Sequence, residues 1–149
     1  MPILNKDPRF IQGIFRPINK DKFIGKTAIF RSSFERKFFL WADKNPNVLE
    51  WGSENIVIPY ISPLDNRYHR YYVDAYMVIK EGTKIKKYLI EIKPYNQTIP
   101  PKVSKKKKPS TIIYEQNAWS VNQAKWESAK KYAEAKGAQF LIITEKDLN

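Results

Sequence analysis

Two short runs decide the fold of this chain: Tyr71-Tyr72-Val73-Asp74-Ala75-Tyr76 and Leu89-Ile90-Glu91-Ile92-Lys93-Pro94. Both are rich in the β-branched and aromatic side chains that suit a pleated, half-buried surface. The first belongs to a strand expected over 69–79, the second to one over 85–92. Between them, Lys80-Glu81-Gly82-Thr83-Lys84 reads as a turn. Gly82-Thr83 suits a two-residue type II′ turn, which takes Gly first. Asp74 and Glu91 then lie equally far from the turn and face each other across a hairpin, with Cβ atoms about 5 Å apart. A one-residue slip would undo the pairing. Alternation puts Glu91 and Lys93 on one face and Ile90 and Ile92 on the other.

Asp74, Glu91 and Lys93 therefore converge. Like charges placed directly opposite destabilise a hairpin unless a cation or a proton compensates. Oxygen-only carboxylate ligands suit Mg²⁺ or Mn²⁺. Such an ion acidifies a bound water and stabilises charge on a phosphate. Lys93 is placed to orient that water or to offset transition-state charge. The chemistry implied is metal-assisted phosphodiester hydrolysis. The plainer reading makes Asp74 and Glu91 ordinary hairpin surface positions, but their apolar, aromatic strands argue against it.

Working outward, residues 32–44 are expected to form a helix. Ser32 is its N-cap, and Phe34, Phe38 and Trp41 recur at helical spacing. Glu35 follows Ser32 at capping-box spacing, which would commit its side chain to the cap. Asn45-Pro46-Asn47 ends the helix. Short strands are expected at 48–51 and 56–61, with a loop over 62–66. A second helix is expected over 115–136, with Gly137 as its C-cap. The continuous Phe140-Leu141-Ile142-Ile143 run predicts a buried last strand. The fold class is α/β, one mixed sheet flanked by helices. One domain over 1–149 is expected, with residues 1–30 as an arm packed on the core and 96–112 as a mobile basic loop.

The composition narrows the partners. The chain has 149 residues, with 27 Lys and Arg against 15 Asp and Glu, a net charge of +12. It has no Cys and one His, His69. That excludes disulfides, thiolate metal sites and a cysteine nucleophile, and leaves little for multi-histidine zinc sites or a serine–histidine triad. No apolar run approaches the roughly 18 residues of a membrane helix. No signal peptide is expected. The charge favours a polyanion through counterion release. Nine Lys stand against Glu115, Glu127 and Glu134 between positions 102 and 136, half of the excess. Lys105, Lys106, Lys107 and Lys108 suit DNA-backbone contacts. No base-reading motif is recognisable.

Asp74, then Glu91-Ile92-Lys93 after a hairpin, with Glu35 in a preceding helix, resembles the PD-(D/E)XK nuclease superfamily, whose core is restriction-endonuclease-like. Val73 stands where that motif usually has Pro. Gln12-Gly13-Ile14-Phe15-Arg16-Pro17-Ile18-Asn19, Arg31-Ser32-Ser33-Phe34-Glu35 and Asn117-Ala118-Trp119 to Lys125-Trp126 extend the likeness to the head completion nucleases of T-even-type tailed phages. The same core is similar to the endonuclease subunit of Tn7-type transposons. The resemblance implies that Asp74 and Glu91 ligate the metal, joined by the Ile92 carbonyl and by Glu35, directly or through water, with Lys93 catalytic. It also implies a further polar residue in the second helix, Lys125 or Gln123, with Lys125 suited to DNA contact. It implies a Mg²⁺- or Mn²⁺-dependent DNA endonuclease of head completion, processing or protecting packaged DNA ends. DNA and portal-region head and neck proteins would be its partners, without a membrane or a small-molecule cofactor. It would work in the virion at the head–neck region and in the host cytoplasm during assembly. Two alternatives are a non-catalytic DNA-binding neck protein and a partner-dependent endonuclease cutting transposon ends. An intact acidic set with its Lys favours retained chemistry.

Overall fold

The computed structural model describes residues 12–148. Pro2, Pro8, Phe10 and Ile11 of the expected arm lie outside the described residues. The chain forms strands β1 (Gly13–Phe15), β2 (Phe23–Ile24) and β3 (Ala28–Phe30), then helix α1 (Ser33–Lys44). Strands β4 (Val48–Ser53), β5 (Val57–Ile61), β6 (Tyr68–Tyr72), β7 (Ala75–Glu81) and β8 (Lys84–Ile92) follow. A short 3-10 turn (Tyr95–Gln97), helix α2 (Pro109–Ala135) and strand β9 (Gln139–Ile143) complete it.

Five strands form one mixed sheet in the order β2-β4-β7-β8-β9. The β4–β7 and β7–β8 pairs are antiparallel, whereas β2–β4 and β8–β9 are parallel. Two ribbons, β1–β3 and β5–β6, sit outside it. Strand alternation sorts β8 between two cores. Tyr88, Ile90 and Ile92 join Phe38, Phe39 and Ala42 of α1 with Trp51, Ala75 and Met77. Leu89 joins Trp126, Ala129 and Ala133 of α2 with Ile58, Tyr60, Tyr71 and Val73. The sheet is thus flanked by a helix on each face, the α/β architecture expected. Trp51 is the hub of the first core, its ring 5.2 Å from that of Phe39 and 4.8 Å from that of Phe23.

The hairpin has the expected register. Glu81 pairs with Lys84 and Ala75 with Ile90, which leaves Gly82-Thr83 as a two-residue turn. Gly82 takes φ +63° while Thr83 is not in the positive region, as a type II′ turn requires. Both helix ends behave as their sequences indicate. The Glu35 N–H donates to Ser32 Oγ at 3.1 Å. At the end of α2, Gly137 N–H donates to the Glu134 carbonyl and Ala138 N–H to the Ala133 carbonyl, with Gly137 at φ +69°. That pair of bonds is a Schellman motif.

Three local expectations fail for physical reasons. The strand expected over 69–79 is broken at Val73-Asp74. Its first half pairs with β5 and its second with β4 and β8. The loop expected over 96–112 ends at Lys108, because Pro109 starts α2, six residues before the expected Glu115. Proline is favoured there because the first turn needs no amide donor from it. Strand β9, expected to be buried, is the sheet edge, and Leu141 is 39% exposed.

Buried Asp43 anchors the segment before β2 to the end of α1. Its carboxylate accepts from Ile18 N–H at 2.9 Å and Asn19 N–H at 3.2 Å. Lys22 Nζ donates to the Asp43 and Asn45 carbonyls at 3.0 and 2.8 Å, satisfying groups that a helix C-terminus leaves open. Phe15 and Phe23 thereby reach the first core. Among the described residues, no helix is long and apolar enough to cross a membrane.

Candidate active site

The break at Val73-Asp74 builds the site. Val73 N–H donates to the Ile56 carbonyl and Glu54 N–H to the Asp74 carbonyl, so the chain steps from the β5–β6 ribbon into the main sheet at this point. Asp74 is released from strand pairing, and its Oδ2 accepts from Ile92 N–H at 2.8 Å, past the last β7–β8 pair. Continuing the register places it opposite Glu91. Burial raises the Asp74 carboxyl, and the Glu91 charge acts on it in the same direction.

Glu91 is 5% exposed and held from two sides. Tyr71 Oη donates to its Oε2. Lys93 Nζ lies 3.8 Å from its Oε1. Glu91 and Lys93 share the face of β8 that looks toward α2, because Ile90 and Ile92 point to α1. Burial holds the Tyr71 hydroxyl far above its usual range, with the Glu91 charge adding to the effect. Tyr71 is therefore a fixed donor.

Glu35 answers the question its spacing posed. Its backbone N–H serves the Ser32 cap, while its side chain turns inward and accepts from Arg31 N–H through Oε2. The side chain is 8% exposed and feels the charges of Glu54 and Glu91. Burial raises the Glu35 carboxyl, the Arg31 N–H opposes the rise, and Glu54 and Glu91 add to it. Asp74 is pushed well above the carboxylate range by burial first, then by the charges of Glu91 and Glu35. Cap and site are thus compatible in one residue, because they use different atoms of it.

The acidic cluster is a facing pair, Asp74 and Glu91, with Glu35 within electrostatic range. Among the described residues, no three or more His, Cys, Asp or Glu side chains are gathered into a closed metal cage. The pair alone suits one class of ion. Mg²⁺ takes hard oxygens, is held by one or two carboxylates, and keeps waters and substrate phosphate in its other positions. A buried and a half-buried carboxyl that repel each other, with one nearby amine, are the donor set such a cation relieves.

The remaining expected site residues divide. Lys125 of α2 is brought to the site, with Nζ 5.6 Å from the Tyr71 ring centroid and 5.8 Å from that of Tyr60. It is half-buried on a tyrosine pair, one residue removed from Glu91. Gln123 is exposed, and its side chain makes no hydrogen bond among the described residues. Lys105, Lys106 and Lys108 are exposed, but Lys107 differs from them. Its Nζ is 3.0 Å from Glu115 Oε2 and 2.9 Å from the Lys102 carbonyl, so it ties the loop to α2. His69 pairs with Asp65 at 2.8 Å, away from the carboxylates.

Sequence reasoning missed three members of the site. Tyr71 is one. Arg31 and Glu54 are the others, joined by bonds of 2.9 and 3.3 Å beside Glu35. Glu54 sits at φ +52°, a turn conformation that no Gly or Asn there announced. Tyr71 carried a signal in its position three residues before Asp74, which becomes meaningful only once the strand bends between them.

A mixed sheet between two helices, with carboxylates facing across its central hairpin, is the architecture of a restriction-endonuclease-like nuclease. A family profile described as TnsA-like endonuclease N terminal matches residues 45–145, from the end of α1 to the end of β9. The chain is also 39% identical over 144 residues to the head completion nuclease of Enterobacteria phage T4, covering 91% of this chain and 92% of that protein. The chain belongs to the TnsA-like endonuclease family, and it is a DNA endonuclease by class.

Proposed function

We propose that this protein hydrolyses DNA phosphodiesters with a divalent cation and works in phage head completion, on packaged DNA ends near the head–neck junction. The observation that carries the chemical part is the Asp74–Glu91 pair, a half-buried aspartate opposite a buried glutamate, with Lys93 Nζ 3.8 Å from Glu91. Asp74, Glu91 and the Ile92 carbonyl would hold Mg²⁺ or Mn²⁺, with Glu35 directly or through water. When bound, the ion acidifies water and offsets charge on the phosphate. Tyr71 keeps Glu91 oriented by donating to Oε2, which leaves Oε1 turned toward Lys93. Ile92 N–H fixes Asp74 through Oδ2. Lys93 positions the attacking water and stabilises charge growing on the phosphate oxygens. Water adds to phosphorus as one P–O ester bond breaks, leaving a phosphate end and a hydroxyl end.

The assembly role rests on similarity to a head completion nuclease along nearly the whole chain. The exposed lysines of the 105–108 run supply sequence-independent backbone contacts. The test is incubation of plasmid DNA with the protein and Mg²⁺ or Mn²⁺, beside Asp74→Ala and Lys93→Ala. The wild type nicks or linearises the plasmid and both variants leave it closed. If all three leave the DNA equally intact, the catalytic reading falls. In a phage carrying Asp74→Ala, filled heads accumulate at the expense of infectious particles. Normal yields would remove the assembly role.

A further inference from the structure

A cavity of about 530 Å³ opens between the segment after Lys93 and the first half of α2. Its volume falls within the range of small-ligand sites. Tyr114 and Trp119 give it aromatic walls, Asn96, Gln97 and Asn122 bring side-chain amides, and Lys102 stands at its edge. Tyr114 is 74% exposed, although α2 has a sheet to pack against. The helix buries only Trp126, Ala129 and Ala133, all in its second half. Its first half is held by the cavity wall and by the Lys107–Glu115 ion pair, 3.0 Å long.

Two paths, one along the chain and one along α2, link this cavity to the acidic pair. The segment that forms one wall begins directly after Lys93 and is pinned there, since Tyr95 N–H donates to Glu145 at 2.9 Å. On the other wall, Ala118, Asn122, Lys125 and Ala129 follow one another at helical spacing along a single face of α2. Asn122 is about 4.5 Å along the axis from Lys125, which lies over Tyr71. Tyr71 in turn donates to Glu91. A strand whose phosphate meets Lys93 can extend along that wall toward the cavity.

Aromatic faces stack on unpaired bases, amides match the donor and acceptor edges of a base, and lysines take the phosphates. We infer that this cavity is a pocket for an unstacked nucleobase next to the scissile phosphate, so that the enzyme favours DNA with unpaired nucleotides, such as a frayed end, over fully paired duplex. The Lys102 charge and the exposed lysines at 105, 106 and 108 complement the strand that carries that base. The inference rests on the DNA-endonuclease reading and gives it a substrate feature.

The test is fluorescence anisotropy in EDTA with three labelled oligonucleotides: a single strand, the same strand with abasic sites, and the matching duplex. Wild type binds the single strand most tightly. Tyr114→Ala, at an exposed position that cannot disturb the fold, and Trp119→Phe, which keeps a ring against Trp126, serve as probes. Combined with Asn122→Ala, they weaken single-strand binding about tenfold, within the range for loss of one base–aromatic stack. They leave binding of the abasic strand and the duplex unchanged. Lys105→Ala with Lys106→Ala weakens all three ligands alike. Equal affinity of wild type for single strand and abasic strand, or unchanged binding by the cavity variants, overturns the inference. Plasmid cleavage by the wild type separates the two claims, since a wild type that cleaves but binds single and abasic strands equally removes the pocket and leaves the nuclease standing.

Discussion

Asp74→Asn is expected to make the metal-free protein more stable while abolishing cleavage. Asp74 is half-buried opposite Glu91, and its carboxyl is driven well above the ordinary range by desolvation first and then by the charges of Glu91 and Glu35. Two unit charges about 5 Å apart repel by about 3 kcal/mol at an effective dielectric of 20. Lys93, 3.8 Å from Glu91, offsets part of this. An asparagine amide still accepts from Ile92 N–H and gains a donor toward Glu91. The net gain is about 1–2 kcal/mol, or about 2–8 °C in melting temperature for a chain of this size. The pH dependence has a definite sign. A carboxyl raised in the folded state binds its proton more tightly there than in the unfolded chain. Wild-type stability therefore falls as pH rises from the ordinary carboxylate range through the raised one. The variant's advantage is small at acid pH, where Asp74 is protonated in both states, and grows as pH rises through the raised range. Melts followed by circular dichroism in EDTA, from pH 4 to 8, read this directly. Saturating Mn²⁺ then reverses the order, because binding to the folded state alone adds about 2.7 kcal/mol at a hundredfold excess over Kd. A variant that melts at or below wild type at pH 7.5 in EDTA, or an advantage that does not change with pH, would refute the reasoning.

Lys93→Ala slows plasmid cleavage by about 10²–10³-fold, the range for removal of one transition-state donor, and lowers the melting temperature in EDTA because Glu91 loses the amine that offsets its repulsion with Asp74. Ser32→Ala and Glu35→Gln separate the two uses of the α1 terminus. The first loses about 1 kcal/mol of stability in urea denaturation with cleavage intact, while the second keeps the fold and loses cleavage. Asp43→Ala strands the Ile18 and Asn19 N–H groups and lowers stability by about 1–3 kcal/mol, read as a lower urea midpoint with no change in cleavage per folded molecule.

The central hairpin was readable because its information is local. Gly82-Thr83 sets a turn, the turn sets a register, and alternation then sends Glu91 and Lys93 to one face. The ends of α1 and α2 were readable for the same reason, since Ser32 and Gly137 act within one helical turn. The break at Val73-Asp74 was not readable. Every residue from His69 to Ile79 except Arg70, Asp74 and Ala75 is at home in a strand, and none is Gly or Pro. The bend is imposed by partners distant in sequence, through the Ile56 carbonyl at Val73 and the Glu54 amide at Asp74. Tyr71, Arg31 and Glu54 stayed hidden with it, because only that bend brings them to the carboxylates. The apolar content of Phe140-Leu141-Ile142-Ile143 gave no warning that β9 is an edge, since half-exposed apolar side chains carry no sequence mark. Glu35 was legible as a choice between cap and site, and the structure dissolves the choice by using its backbone for one and its carboxyl for the other.

Asp74 and Glu91 together are expected to hold one divalent cation. Titration of the protein with Mn²⁺, following free ion by electron paramagnetic resonance, tests this without DNA and without turnover. Wild type is predicted to take up Mn²⁺ in a saturable manner, with Mg²⁺ competing, and Asp74→Ala and Glu91→Ala each to lose that uptake while remaining folded by circular dichroism. Equal Mn²⁺ binding by wild type and both variants would contradict the account.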